Sequence, residues 1–146
     1  MTLKSIDEKN NAVFTIRNNQ TFDDKTDVVE IVTEGSYKAR DGMYFLIYKE
    51  YTELGEISVL VKVLGETVSI RRTGACSSRM EYESGTRREI LYHVPYGDLV
   101  MDLETENVKV SLNDDGGSIN MKYKLTIGEE SYLNNMTLEV RLNEKG

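Results

Sequence analysis

The sequence predicts an all-β fold, an antiparallel up-and-down β-barrel of about eight to ten strands, and three observations carry that expectation. Apolar residues recur with period two along almost the whole chain, and no segment holds the 3.6-residue period of a long amphipathic helix. The runs are separated by short glycine-containing turn signals, which suit hairpins rather than crossovers. Several runs exceed the usual strand length of about five to six residues, as tilted barrel strands do. A meander this long must curl, and closing it removes the sheet edges that invite aggregation. A two-sheet sandwich is the alternative. The 146 residues fit one domain over 1–146, large enough to bury a core.

The elements follow in order. Strands are expected at about 12–22, 27–38 and 43–52, with a short turn at most in the N-terminal dozen residues. Ile57, Val59, Val61 and Val63 then alternate with Ser58, Leu60, Lys62 and Leu64. Further strands are expected at 67–73, 76–84, 87–94, 99–104 and 107–113. Ile119, Met121, Tyr123, Leu125 and Ile127 form the next apolar face, and Met136, Leu138, Val140 and Leu142 the last. Turns are expected at Asp41-Gly42, Gly65-Glu66, Ser84-Gly85, Asp114-Asp115-Gly116-Gly117 and Gly128-Glu129, where residues tolerating positive φ cluster. Gly65-Glu66 fits a type II′ hairpin, which wants glycine first. Pro95, the one proline, lies just past a strand, where its missing N–H harms no ladder.

Composition narrows the function classes. Eighteen Lys and Arg against 25 Asp and Glu leave a net charge of −7, a field that repels polyanions, so DNA is not an expected partner. The longest uncharged apolar run, Met43 to Tyr48, is far too short for a helical bilayer span, and no membrane insertion is expected. Because that run is apolar on both faces, it points to a homodimer contact. A single cysteine, Cys76, and an N-terminus without an apolar signal-peptide segment point to the cytoplasm.

Charge is evenly spread except between Arg71 and Arg88. Five of the eight arginines fall there (Arg71, Arg72, Arg79, Arg87 and Arg88), opposed in that window only by Glu81 and Glu83. Alternation places Arg72 on the face of Val68 and Ile70, and Arg88 on the face of Ile90, Tyr92 and Val94. In neighbouring barrel strands both would point toward the lumen. A desolvated guanidinium needs an anion beside it. Glu50, which shares a face with Tyr44, Leu46 and Tyr48, is one candidate, and the carboxylate or phosphate of a ligand is the other. The expected ligand site is therefore Arg72 and Arg88 over Met80, Tyr82, Tyr92, Tyr96 and Tyr123, taking a small amphipathic or anionic molecule. Two readings compete with it. Strand-end arginines can snorkel to water over an apolar rim. Alternatively, a filled barrel could offer the basic Arg71–Arg88 surface to a protein or RNA, with tyrosines stacking bases.

No catalytic constellation emerges, and no cofactor is implied. His93 is the only histidine and shares no ligand spacing with Cys76, so no metal site is expected. Its parity places it outward beside Leu91, whereas Cys76 falls on the inward set with Ser78, Met80 and Tyr82. Glu81 and Glu83 share a face but read as cross-strand ion-pair partners rather than as an acid/base pair. Phosphate-binding loops, dinucleotide fingerprints and nucleophile elbows are missing from the sequence.

These residues also carry a resemblance. Arg71-Arg72-Thr73-Gly74, Ser78-Arg79-Met80-Glu81-Tyr82, Gly85 and Tyr92-His93-Val94-Pro95-Tyr96-Gly97, with the later Gly117-Ser118-Ile119 and Tyr123-Lys124-Leu125, resemble the YwiB-like family of small uncharacterised bacterial proteins. The resemblance covers roughly residues 12–142 and implies a calycin-like barrel, the architecture shared by lipocalins and fatty-acid-binding proteins. It implies no established activity. Calycins often bind small amphipathic molecules, but the sequence has no tryptophan and so lacks the glycine–x–tryptophan signature of true lipocalins.

Overall fold

The computed structural model describes residues 10–143, and among them the chain is almost entirely strand. The short turn expected in the N-terminal dozen residues falls largely outside the described residues. Ten strands follow one another: β1 (Ala12–Phe22), β2 (Lys25–Arg40), β3 (Met43–Thr52), β4 (Gly55–Leu64), β5 (Thr67–Gly74), β6 (Ser78–Tyr82), β7 (Thr86–Val94), β8 (Gly97–Asn113), β9 (Gly116–Ile127) and β10 (Glu130–Leu142). They form one antiparallel sheet in the order β6-β5-β4-β3-β2-β1-β10-β9-β8-β7. Every neighbour in the sheet is thus a neighbour in sequence except β1 and β10, whose ladder runs from Ala12 opposite Leu142 to Thr21 opposite Leu133. The remaining gap, between β6 and β7, is bridged at one point. Ser77 and His93 exchange backbone hydrogen bonds of 2.9 and 2.8 Å there. The result is the expected up-and-down barrel, nearly closed, with its seam beside the basic island.

The inward faces are those the alternation marks. Phe14, Leu46, Val59, Val61, Val63, Val68, Ile70, Ile119 and Met121 are almost wholly shielded from water, and burying each aliphatic side chain stabilises the barrel by about 1.5–3 kcal/mol. Gly65 and Gly128 take φ of +61° and +62°, while the glutamates after them are not in the left-handed region, the φ pattern of type II′ hairpins.

Three features depart from the expected elements. Residues 99–104 and 107–113 are one strand, β8, interrupted by a bulge: Thr105 faces Tyr123 and Asn107 faces Lys122, leaving Glu106 as the extra residue. The expected strand 76–84 is ordered as a ladder only over Ser78–Tyr82. The β1–β2 hairpin turns on Asp23 and Asp24, at φ of +51° and +63°, a turn without glycine in which aspartate tolerates the left-handed conformation.

β2 also changes partner midway. Lys25–Gly35 pairs with β1, whereas Ser36–Arg40 pairs with β3. The handover sits at Gly35, where a Cβ would run into the Ile47 carbonyl oxygen and lie 2.6 Å from the Phe14 ring. Only glycine lets β2 approach β3 closely enough to turn the corner.

Candidate functional site

Arg72 lies on β5, opposite Val59 of β4 and Ser78 of β6, on the inward face that alternation assigns it. Glu50 reaches it from β3. Arg72 Nε donates to Glu50 Oε1 at 3.3 Å, and each side chain keeps 18% of its surface exposed. Glu50 is therefore the anion beside Arg72. Among the described residues, neither Nη nitrogen of Arg72 donates a hydrogen bond. The Ser78 hydroxyl directly across the β5–β6 ladder is buried and has no partner either.

Tyrosines enclose this pair. Tyr48, Tyr82, Tyr92 and Tyr123 all lie within electrostatic reach of Arg72. Tyr82 and Tyr123 meet edge to face with ring centroids 4.9 Å apart, and the Tyr82 hydroxyl donates to Met80 Sδ at 3.3 Å. Burial is the first cause pushing the Tyr48, Tyr82 and Tyr123 hydroxyls above their ordinary pKa, against the opposing pull of Arg72. Burial, then the neighbouring Cys76 thiol, pushes Tyr92 up. For Arg72 burial acts to lower the pKa, but Glu50 and the tyrosines Tyr82 and Tyr48 outweigh it and raise the pKa overall. At neutral pH the lumen thus holds one charged guanidinium, one carboxylate partner and neutral hydroxyls.

Five of the seven expected site residues converge: Arg72, Met80, Tyr82, Tyr92 and Tyr123. Arg88 and Tyr96 do not, and both expectations are corrected. The register sets Arg88 opposite Leu103, on the inward side. Yet its side chain is 41% exposed, and Nη2 lies 3.6 and 3.7 Å from the Glu81 and Glu83 carboxylates. The seam explains the exit. No continuous ladder closes β6 against β7, so a long side chain reaches carboxylates across the gap, where a shallow depression is lined by Arg79, Glu81, Arg88, Glu89 and Ile90. Tyr96 sits in the β7–β8 turn and is 78% exposed, remote from the others because a strand-end turn projects beyond the barrel wall. Ser78 was not expected as a site residue. Its signal was available in the inward parity of a small polar residue beside Arg72.

The basic island loses its charge excess in three dimensions. Arg79 pairs with Glu81 at 3.3 Å. Arg87 Nε donates to Asp102 Oδ2 at 2.8 Å, and Glu104 lies on the same guanidinium. Asp102 and Glu104 come from β8, outside the window that made the island look basic. His93 is exposed, its Nδ1 2.7 Å from Asp98 Oδ1, and Cys76 is buried. Among the described residues, no three His, Cys, Asp or Glu side chains cluster to hold a metal, and no helix is long and apolar enough to cross a membrane.

A second cavity lies elsewhere. A cleft of about 820 Å³ crosses the wall of β1, β10, β9 and β8, lined by polar groups that include Asn19, Thr21, Arg87, Glu104, Lys122 and Asn135. By register these side chains share the outward face, whereas Thr105, Tyr123 and Asn134, which also line the cleft, belong to the inward one. Of the expected site residues only Tyr123 touches it. No sequence signal marks this cleft, because its residues come from separate strands in runs of at most three.

Comparison with known proteins places this architecture. The chain is 28% identical over 117 residues to the "Uncharacterized beta-barrel protein YwiB" of Bacillus subtilis (strain 168), a match covering 80% of this chain and 82% of that protein. The crystal structure of the ywiB protein from Bacillus subtilis superposes with a TM-score of 0.86, at 23% identity and over 94% of each chain, which shows a shared fold. Residues 14–140 match the family described as Domain of unknown function (DUF1934), and the chain belongs to that family.

Proposed function

We propose that the barrel binds a small amphipathic molecule with an anionic end, held by Arg72 and Ser78 and flanked by Tyr48, Tyr82, Tyr92 and Tyr123. One observation carries this reading. The Arg72 fork uses only its Nε, on Glu50, while its Nη groups and the Ser78 hydroxyl opposite lack partners among the described residues. A carboxylate or phosphate placed between them would accept from both, and charge-assisted hydrogen bonds to a guanidinium are the stronger kind. Met80 and the tyrosine rings supply the apolar contact for the rest of the molecule. The alternative, a protein- or RNA-binding surface over Arg71–Arg88, is less favoured because Arg79, Arg87 and Arg88 are already paired with carboxylates.

Native and denaturing mass spectrometry of freshly purified protein is the first test, with excess mass that disappears on denaturation expected. The second is titration with a fluorescent long-chain carboxylate. Because removing Arg72 alone strands Glu50, the variant to use is the double exchange Arg72→Gln with Glu50→Gln. Losing the charged hydrogen bond is expected to weaken the probe about ten- to hundredfold, with circular dichroism unchanged. Unchanged affinity in that folded variant would overturn the reading.

A further inference from the structure

Besides the seam between β6 and β7, the barrel wall has an unfinished edge on β2. From Lys25 to Gly35, β2 pairs with β1 alone, and β3 joins it only from Ser36 onward. Along that half of β2 one row of backbone N–H and C=O groups faces away from the sheet. The side chains there are unusually apolar for a free edge: Val28 is 52% exposed, Val29 55%, Ile31 37% and Val32 64%. The register with β1 sets Val29 and Ile31 on the inward face and Val28 and Val32 on the outward one, so the exposure is not confined to a single face. Proteins blunt such edges with lysine, proline, bulges or inward charges. Here Lys25 and Asp27 guard the hairpin tip, and between Val28 and Val32 the one charge is the outward Glu30, already paired with Arg17.

We infer that this edge is an interface with a second copy of the chain, two β2 strands pairing antiparallel about a two-fold axis at Glu30. The local sequence is a palindrome of residue type: two aliphatics, a glutamate, two aliphatics. A two-fold contact requires such self-complementarity, since residue i meets j and j meets i. About Glu30, Val28 faces the partner's Val32 on the outer face, and Val29 faces the partner's Ile31 on the inner face. Each pairing occurs twice, and β-branched pairs are favourable across antiparallel strands. Farther out, Asp27 meets the partner's Thr33 and Thr26 meets the partner's Glu34, so no other like charges oppose. The axis itself brings two glutamates together. Each is met from behind by its own Arg17, directly opposite on β1 with Nη1 3.8 Å from Glu30. Across four strands the row reads Arg17, Glu30, Glu30, Arg17, with a positive charge flanking each negative one. The pairing uses both free edges, so assembly stops at the dimer.

Sedimentation velocity on the full chain over a concentration series tests this. A reversible dimer is expected, reduced to monomer by Ile31→Lys. Glu30→Gln should tighten it about two- to fivefold, the effect of removing one like-charge pair across strands. Register is read by disulfide trapping in a Cys76→Ser background. Glu30→Cys should oxidise to a covalent dimer, and Val28→Cys with Val32→Cys likewise, whereas Val28→Cys alone should not. A wild-type chain that stays monomeric at millimolar concentration overturns the inference. So does a dimer that survives Ile31→Lys unchanged, which would place the contact elsewhere, for instance on the exposed Ile47 face of β3.

Discussion

Arg72 and Glu50 hold each other in a lumen otherwise lined by neutral groups, and the consequences can be measured one residue at a time. Arg72→Ala leaves the Glu50 carboxylate without its partner. A broken buried pair costs about 3–5 kcal/mol, and because both side chains keep 18% exposure a loss nearer about 2–4 kcal/mol is expected in chemical denaturation. The buried tyrosines make a second prediction. Burial raises the pKa of Tyr82 and Tyr123 in the folded state above their unfolded value near 10. The folded state therefore holds protons that the unfolded state releases. Their contribution to stability is fully present below about pH 10 and is lost as pH rises above it. Stability measured from neutral to strongly alkaline pH should fall beyond that point. Tyrosinate absorbance of the buried set should appear together with unfolding rather than before it. Exchange of Tyr123 for Phe should flatten the alkaline fall.

Among the elements, β8 shows how one residue can set the packing of a long strand. Met101, Leu103 and Thr105 are buried before the bulge, and Val108 after it, so the inward parity changes from odd to even at Glu106. Deleting Glu106 removes the bulge and makes Thr105 opposite Tyr123 and Asn107 opposite Lys122 consecutive pairs. Leu103 and Thr105 on one side and Val108, Val110 and Leu112 on the other then keep their inward faces on an unbroken ladder. Cooperative thermal unfolding and near-ultraviolet circular dichroism are expected to persist in that deletion, as in Glu106→Ala; loss of both would show that the bulge itself shapes the barrel. β2 turns its corner by the opposite device, a missing side chain at Gly35 rather than an extra residue.

At the scale of the whole molecule, the barrel is held unevenly around its circumference. Ten opposed residue pairs join β1 to β10, while β6 and β7 are bridged at Ser77–His93. Opening should begin at that seam, where few backbone bonds must break. Native-state hydrogen exchange is expected to show the Ser77 and His93 amides exchanging well before those of Phe14 and Ile16 in the β1–β10 ladder. Equal protection at both places would mean that the seam is closed by side-chain packing instead. The seam also accounts for Arg88, whose outward reach to Glu81 and Glu83 depends on the gap.

The barrel, its antiparallel order and nearly all of its inward faces are legible in the linear chain. Alternation fixes which face a strand buries, and short turns leave sequence neighbours little choice but to pair. The Arg72–Glu50 contact was legible for the same reason, as a charge on an inward face demands a partner on another. Local pattern could not reveal what depends on where strands stop touching. The parity change at Glu106 resembles a turn until β9 is seen running unbroken past it. Arg88 and the basic island change meaning once the seam and the β8 carboxylates lie beside them. The free edge of β2 exists only because β3 begins to pair at Ser36. Periodicity reports which side of its own strand a residue faces, whereas tertiary structure decides what stands opposite it.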